Sequence, residues 1–329
     1  MNSGLAWNAP AWVSCRGQVN AVYRVGADEN GLGARLGPML VTAVMARTDG
    51  PAREAFSPAL PAGVARDLRD SKELLSHADV RLGEAWARAL LGPELSRPNE
   101  LFARASSASQ AELTSLCPPE VAPQCWVDDD EVFRAPDELV RRVQGHLATL
   151  ASRGIRIVAV RSSALCTRRL NLGRRRGESR FTMDLHQMER LVLELRELAG
   201  GELSAVCGKV GGMSDYSRFW GPLGGRLHTV LEQGRRVSAY RFPGLGELSF
   251  VQDADAEDPL VMLASLVGKY FRELLMARIA RHWESALGES FAPSGYHDPV
   301  TERFVTATRR LRRQRRTPDD CFERERGQS

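Results

Sequence analysis

Cysteine, histidine and aromatic residues are all scarce in this chain of 329 residues, with six cysteines, six histidines and 7% Phe, Trp and Tyr. No two cysteines stand at CxxC spacing. A chain of this length buries enough surface to fold without staples, so a disulfide framework is excluded. Cys117 and Cys125 flank a Pro-rich loop but would need outside ligands to hold zinc, and ordinary reduced thiols are the simpler reading. His77, His146, His186, His228, His282 and His297 form no metal-ligating pair and read as structural or exposed residues. Long apolar runs are missing too, which excludes a membrane-spanning helix. Met1 to Gln18 has no basic segment followed by an apolar core, so no export signal is read and cytoplasmic residence is expected.

A strong net charge is also absent. The balance of 45 basic and 41 acidic residues leaves +4, so no global basic field announces a nucleic acid. The charge is uneven, however. Arg168, Arg169, Arg174, Arg175, Arg176 and Arg180 cluster in one segment, and Arg309, Arg310, Arg312, Arg313, Arg315 and Arg316 in another. Such runs neutralise phosphates, or else solvate a helix face or a tail.

What is present is a soluble globular composition, 43% hydrophobic and 26% charged, with clear periodicity. Ala21–Ala27 and Met39–Ala46 read as paired strands around a Gly-rich turn. A Pro-containing loop spans Thr48 to Ala62, and Asp70-Ser71-Lys72 leads into a helical pattern at Arg81–Leu91. Residues 92–135 read as a loop-like insertion or lid carrying an acidic, solvated run at Asp128–Glu131. Helical spacing resumes at Asp137–Ser152, and Ile155–Val160 is a β-branched strand. Arg174–Arg180 reads as a charged loop and Asp184–Leu198 as an amphipathic helix. Leu203–Val210 and Leu248–Val251 are further strands. Pro259 opens a long helix to about Trp283, in the first-turn position that proline favours. Strands and helices alternate after the initial hairpin, which predicts a mixed α/β sheet with helices on its faces.

The most informative stretch is the turn between the first two strands. There Asp28 and Glu29 stand at a strand end beside Gly31-Leu32-Gly33. Adjacent carboxylates repel unless a hard cation neutralises them, and glycines let a backbone approach a bulky polyanion. The pairing points to metal-assisted chemistry on a phosphodiester. Further along, Asp253, Asp255 and Asp258 decorate the end of an apolar strand, and Ser294-Gly295-Tyr296-His297-Asp298-Pro299 forms a Gly-aromatic turn before the basic tail.

Together these segments resemble the type 2 ribonuclease H family, ribonuclease HII, in its archaeal and eukaryotic branch. The family's Asp-Glu-x-Gly-Arg-Gly followed by Gly-Pro is matched by Asp28-Glu29-Asn30-Gly31-Leu32-Gly33 with Gly37-Pro38. Its Asp-Ser-Lys is Asp70-Ser71-Lys72, followed by Glu73-Leu74. Phe242-Pro243-Gly244 also matches. The block after the last strand is matched by Ala254-Asp255, Pro259, Ala264-Ser265-Leu266-Val267-Gly268-Lys269 and Arg272-Glu273. Ser294-Gly295-Tyr296 with Asp298-Pro299 matches the family's Gly-Ser-Gly-Tyr…Asp-Pro, one residue short. The resemblance runs in order from about Arg24 to Leu311. It implies a ribonuclease H-like domain over 1–285, with insertions at 92–135 and 165–182, and a C-terminal helical extension with a basic tail over 286–329.

The resemblance also implies a two-metal mechanism using Mg2+ or Mn2+ on RNA/DNA hybrid or on DNA with embedded ribonucleotides. By position, Asp28, Glu29 and Asp255 match carboxylate ligands, and Lys72 matches the lysine beside the active site. Tyr296, with the backbone of Gly31, Leu32 and Gly33, matches the groups that read the ribose–deoxyribose junction. Ser265 and Lys269, four apart on a helix, match packing or phosphate-facing positions. Two residues depart from the pattern. Gly208, in Ala205-Val206-Cys207-Gly208-Lys209-Val210-Gly211, occupies the place of another family carboxylate, and Lys209 beside it brings a positive charge. Leu32 replaces the arginine of the turn, removing a charge-assisted bond to substrate. Asp253, two residues from Asp255 on the strand, is the candidate substitute ligand; Asp184 and Asp215 read as less well placed. Three functions follow: a hybrid-binding relative with impaired hydrolysis, an active endoribonuclease with a rearranged site, or an interaction scaffold whose insertions meet a protein partner.

Overall fold

The computed structural model describes residues 22–49, 60–126, 128, 130–210 and 212–325. Met1 to Gln18, Cys15, Ala21 and most of the Thr48 to Ala62 loop lie outside the described residues. Strands β1 (Val22–Asn30) and β2 (Met39–Thr48) form the expected antiparallel hairpin, and β3 (Ile155–Leu165) pairs antiparallel with β2. On the other side of β1, β4 (Leu203–Gly208) runs parallel to it. The sheet continues through the chain's last three strands, β5 (Thr229–Gln233), β6 (Val237–Phe242) and β7 (Gly246–Val251). The order across the sheet is β3-β2-β1-β4-β7-β6-β5, with β7 parallel to β4.

Helices α1 (Ala62–Asp67), α2 (Ser71–Leu74), α3 (Arg81–Leu91), α4 (Pro98–Ala105), α5 (Gln110–Thr114) and α6 (Asp137–Ser152) lie between β2 and β3. Helices α7 (Thr167–Arg175) and α8 (Arg180–Ala199) follow β3. After β7 come α9 (Ala254–Glu257), α10 (Pro259–Leu287), α11 (Pro299–Gln314) and α12 (Asp319–Phe322). The result is a ribonuclease H-like mixed sheet flanked by helices, with a helical C-terminal extension.

Two apolar layers hold the sheet, and the strand alternation of β1 decides which side chain meets which layer. Val25 and Ala27 pack with Leu185, Met188 and Leu191 of α8. Gly26 faces α10 so closely that a Cβ there would lie 2.4 Å from Leu260 C and Val261 N. Helix α10 starts where proline predicts, because Asp258 accepts hydrogen bonds from the backbone N–H groups of Leu260 and Val261. Helix α8 starts four residues before the expected Asp184, because Ser179 caps it through Thr182 N.

Several expectations are corrected. Residues 92–135 are no bare loop: α4 and α5 lie within them, and Leu101, Phe102, Leu113 and Trp126 belong to the main core. The Arg174–Arg180 loop begins as the end of α7, whose Leu170 joins Met39, Leu165 and Met183 in a small cluster. The β5–β6 hairpin has no counterpart in the sequence reading, since all of β5 is exposed and leaves no hydrophobic alternation. Cys117, Cys125, Cys166 and Cys321 line one small pocket of about 40 Å³. Burial pushes all four thiols up, so they stay protonated. Among the described residues no helix is long and apolar enough to cross a membrane.

Candidate active site

Asp28 and Glu29 lie near the C-terminal end of β1, where β4 runs alongside. Ala27 pairs with Cys207, and one step further a Cβ on Gly208 would sit 2.8 Å from Asp28 Oδ1. Asp28, like Gly26, faces α10, and the Ser265 hydroxyl donates to its carboxylate. Burial, reinforced by the charge of Glu29, pushes the Asp28 carboxyl up to about 8. Glu29 is also raised by burial, with Asp255 adding to the effect. The Leu32 N–H, Lys72 and Arg324 oppose the rise.

The Asp70-Ser71-Lys72 motif is tied to this edge residue by residue. Asp70 caps α2 by accepting from Lys72 N at 2.8 Å. The Ser71 hydroxyl lies 2.9 Å from that of Ser265, which links it to Asp28. Lys72 Nζ donates to Asp255 Oδ2 at 2.9 Å, and this bond holds the ammonium above its usual range. Lys269 Nζ donates to the carbonyls of Ser71 and Leu75. Ser265 and Lys269 therefore both bond to the motif.

The Gly-rich turn is clamped from beneath. Gly31 adopts φ +92°, a left-handed conformation that glycine accepts without strain. Arg324, buried near the end of the chain, donates to the carbonyls of Gly31, Leu32 and Gly37. Arg180 donates to those of Leu32 and Ala34. The half-buried Leu32 side chain packs against the cluster around Met39 and Leu170. Gly33 is exposed, and a Cβ there would meet nothing within 4 Å.

Tyr296 is brought to the same region because the Gly295 carbonyl accepts from Arg35 N and Leu36 N at 2.8 and 2.9 Å. The residue is 41% exposed, with the Arg272 guanidinium 4.3 Å from the ring centroid. One face of the ring is thus held by a cation while the residue stays accessible.

Three further expectations are corrected. Asp253 does not share a strand with Asp255: β7 ends at Val251, and Asp253 sits exposed in a left-handed turn (φ 56°) before α9. Lys209 does not charge the acidic edge. Its Nζ donates to the Gly234 carbonyl at 2.6 Å and to Ser238 Oγ at 3.0 Å, under the β5–β6 turn. Asp184, read as less well placed, is fully buried on α8, where Glu29 and Asp28 add to the burial that raises its carboxyl. Its signal in the sequence is an acid on the apolar face of an amphipathic helix, one residue before Leu185 and four before Met188. Asp215 accepts from Ser217 and pairs with Arg218.

The donor set at this edge is all carboxylate oxygen, the chemistry that hard divalent cations such as Mg2+ and Mn2+ accept. The raised carboxyls record burial first, with the charge of neighbouring carboxylates adding to it. As placed, the side chains stand apart, with the Lys72 amine on Asp255. Among the described residues no three His, Cys, Asp or Glu side chains converge closely enough to hold an ion.

No family model matches the chain, and no curated protein matches it. Solved structures do align with it. Bst-RNase HIII in complex with Mn2+ is 14% identical over 93% of this chain and 67% of its own, with a TM-score of 0.45. RNase HII of Archaeoglobus fulgidus, solved in complex with PCNA, is 16% identical over 94% and 98%, with a TM-score of 0.39. Ribonuclease H2 from Pyrococcus horikoshii OT3 is 14% identical over 91% and 92%, with a TM-score of 0.40.

Proposed function

We propose that this protein recognises RNA/DNA hybrid, or DNA carrying embedded ribonucleotides, at the acidic edge of its sheet, and that its hydrolysis is impaired. The observation that carries this reading is the pair Asp28–Gly208. Acidic side chains with raised carboxyls lie at the strand end, yet β4 offers bare backbone directly beside Asp28.

By the family resemblance Asp28, Glu29 and Asp255 are the residues that would hold Mg2+ or Mn2+ if drawn together. The ion would supply an activated water and charge neutralisation at the leaving oxygen. Around that position the chain's own groups have separable roles. Gly33 leaves backbone open to a close-lying strand, since no side chain screens it. Tyr296, its ring held by Arg272, offers an aromatic face to a sugar or base. Lys72 holds Asp255 in place and carries a charge next to the site of phosphate approach.

The test uses a duplex containing one ribonucleotide, with Mg2+ or Mn2+ present. Cleavage by the wild-type protein should be undetectable, while fluorescence anisotropy shows hybrid binding that weakens with salt. Gly208→Asp should gain cleavage and also melt lower without metal, because its Cβ crowds Asp28 and adds a like charge. Absence of salt-dependent hybrid binding would overturn the reading and leave the scaffold alternative.

A further inference from the structure

His77 lies on the turn that leaves the Asp-Ser-Lys motif, and it touches the segment that carries Tyr296. Both of its ring nitrogens face acceptors: Nδ1 lies 2.5 Å from Glu273 Oε2, and Nε2 lies 3.0 Å from the Ala292 carbonyl. A carboxylate and a carbonyl only accept, whereas a neutral imidazole carries a single N–H. Only the imidazolium satisfies both contacts at once. The turn itself is firmly held. Ser76 and Asp79 exchange backbone hydrogen bonds at 3.1 and 3.2 Å, and the Leu75 carbonyl accepts from Lys269.

The other end of this contact is a constrained segment. Ala292 adopts φ 46°, a left-handed backbone that a residue with a Cβ keeps only when its surroundings enforce it. Glu284 accepts from the N–H groups of Phe291 and Ala292 at 2.7 and 3.2 Å, and His77 holds the carbonyl of the same Ala292. Two residues on, the Ser294 carbonyl accepts from Arg272 Nη2 at 2.9 Å, and the Ser294 hydroxyl oxygen accepts from Tyr296 N at 3.1 Å. Glu273 ties these bonds together. Its second oxygen accepts from Arg272, the same guanidinium that lies over the Tyr296 ring. His77, Glu273 and Arg272 thus make one continuous path from the Asp-Ser-Lys segment to the exposed aromatic residue.

We propose that His77 is a positioning residue: as an imidazolium it straps residues 292–296 to the turn after the Asp-Ser-Lys motif, and so makes the presentation of Tyr296 to nucleic acid depend on pH. The proposal rests on reading Tyr296 as a nucleic-acid contact. Charged groups on the neighbouring elements either act on the ring or are engaged elsewhere. On α10, Glu273 raises the imidazole above its ordinary range; burial opposes the rise, the Ala292 carbonyl adds to it, and Arg272 works against it. Lys269 spends its ammonium on the carbonyls of Ser71 and Leu75, Asp79 pairs with Arg81, and Glu284 is taken by the two N–H groups. The strap is therefore complete below the ordinary histidine value and is lost as pH rises through the raised one.

The experiment measures hybrid binding by fluorescence anisotropy from about pH 6 to 9, the span in which a raised histidine titrates. Wild type, His77→Gln, His77→Arg, Tyr296→Ala and the double variant His77→Gln/Tyr296→Ala are compared. Acids at the strand end titrate in the same span, so each variant is read as its difference from wild type. His77→Gln, neutral throughout, should bind about 2–30-fold more weakly at the acid end, the range through which a residue outside the contact modulates coupling. It should converge with wild type at the alkaline end. His77→Arg, charged throughout and able to donate twice, should match wild type at the acid end and exceed it at the alkaline end. In the Tyr296→Ala background, His77→Gln should have no further effect. Hydrogen exchange at the Tyr296 amide should be faster in His77→Gln than in wild type. The proposal is overturned if His77→Gln tracks wild type at every pH, or if its loss persists undiminished without the Tyr296 ring. If wild type binds no hybrid, the functional reading fails, and the exchange rates still decide the strap: equal rates in wild type and His77→Gln overturn it.

Discussion

At the scale of single residues, the Gly-rich turn owes its shape to arginines far away in sequence. Arg324 has no exposed side chain to spare for solvent and spends its guanidinium on three backbone carbonyls. Removing it leaves those carbonyls buried and unpaired, each a desolvation cost of order 1–3 kcal/mol. Arg324→Ala should therefore destabilise the fold by about 3 kcal/mol or more in urea denaturation, and should weaken hybrid binding without removing any acidic side chain. The Asp-Ser-Lys motif shows the same economy, since each of its three residues makes a different structural bond. None of this is readable from the motif itself. The residue types were legible in the sequence; their partners were not, because Ser265 and Asp255 lie nearly two hundred residues away.

At the scale of elements, the close approach of α10 to β1 sets where Asp255 and Ser265 stand relative to Asp28. Gly26 permits it, and a side chain there would meet rigid helix backbone at 2.4 Å. Gly26→Ala should cost at least the ~1–3 kcal/mol typical of overpacking, and should reduce Mn2+ or hybrid affinity if α10 shifts outward. Helix α8 is tied on its other side by Glu189, whose carboxylate accepts from the N–H groups of Gly221 and Leu223 while burial pushes it up to about 7. A carboxyl raised in the fold above its unfolded value binds its proton more tightly when folded. Its stabilising contribution is full below the unfolded value and is lost as pH rises through 7. Melting temperature should fall between pH 5 and 8, and Glu189→Gln should make that fall shallower.

The elements most legible in the sequence were those with strong local signals. Helix α6 spans the expected Asp137–Ser152, α3 spans Arg81–Leu91, and α10 begins at Pro259. The exposed β5, its partner β6 and the short α4 and α5 escaped, because their patterns are too brief or too polar to show a period.

At the scale of the whole molecule, several arginines of the basic segments serve the chain's own closure. Arg174, Arg175 and Arg180 hold the backbone or side chain of Glu325, and Arg168 donates to the Leu116 carbonyl. Arg312 is buried, with its guanidinium 4.0 Å from the Phe322 ring centroid. These charges are consumed internally, so Arg180→Ala should lower the melting temperature yet leave the slope of log binding constant against log salt unchanged. A change in that slope by about one counterion would show instead that Arg180 meets a phosphate.

By itself the sequence determined the identity and order of the acidic, Gly-rich and Asp-Ser-Lys segments, the periodic helices, and the absence of a carboxylate at Gly208. These are local properties, carried by residue type and spacing along a continuous chain. Only the tertiary structure decided which side chains face one another. Parallel pairing of β4 with β1 set Gly208 against Asp28, the turn after β7 took Asp253 away from Asp255, and the β5–β6 turn drew Lys209 aside. Packing of α8 against Val25 and Ala27 of β1 buried Asp184, on a helix whose own pattern marks it only as a misplaced charge. Strand order and helix face arise from burying apolar surface throughout the molecule, which no single segment encodes.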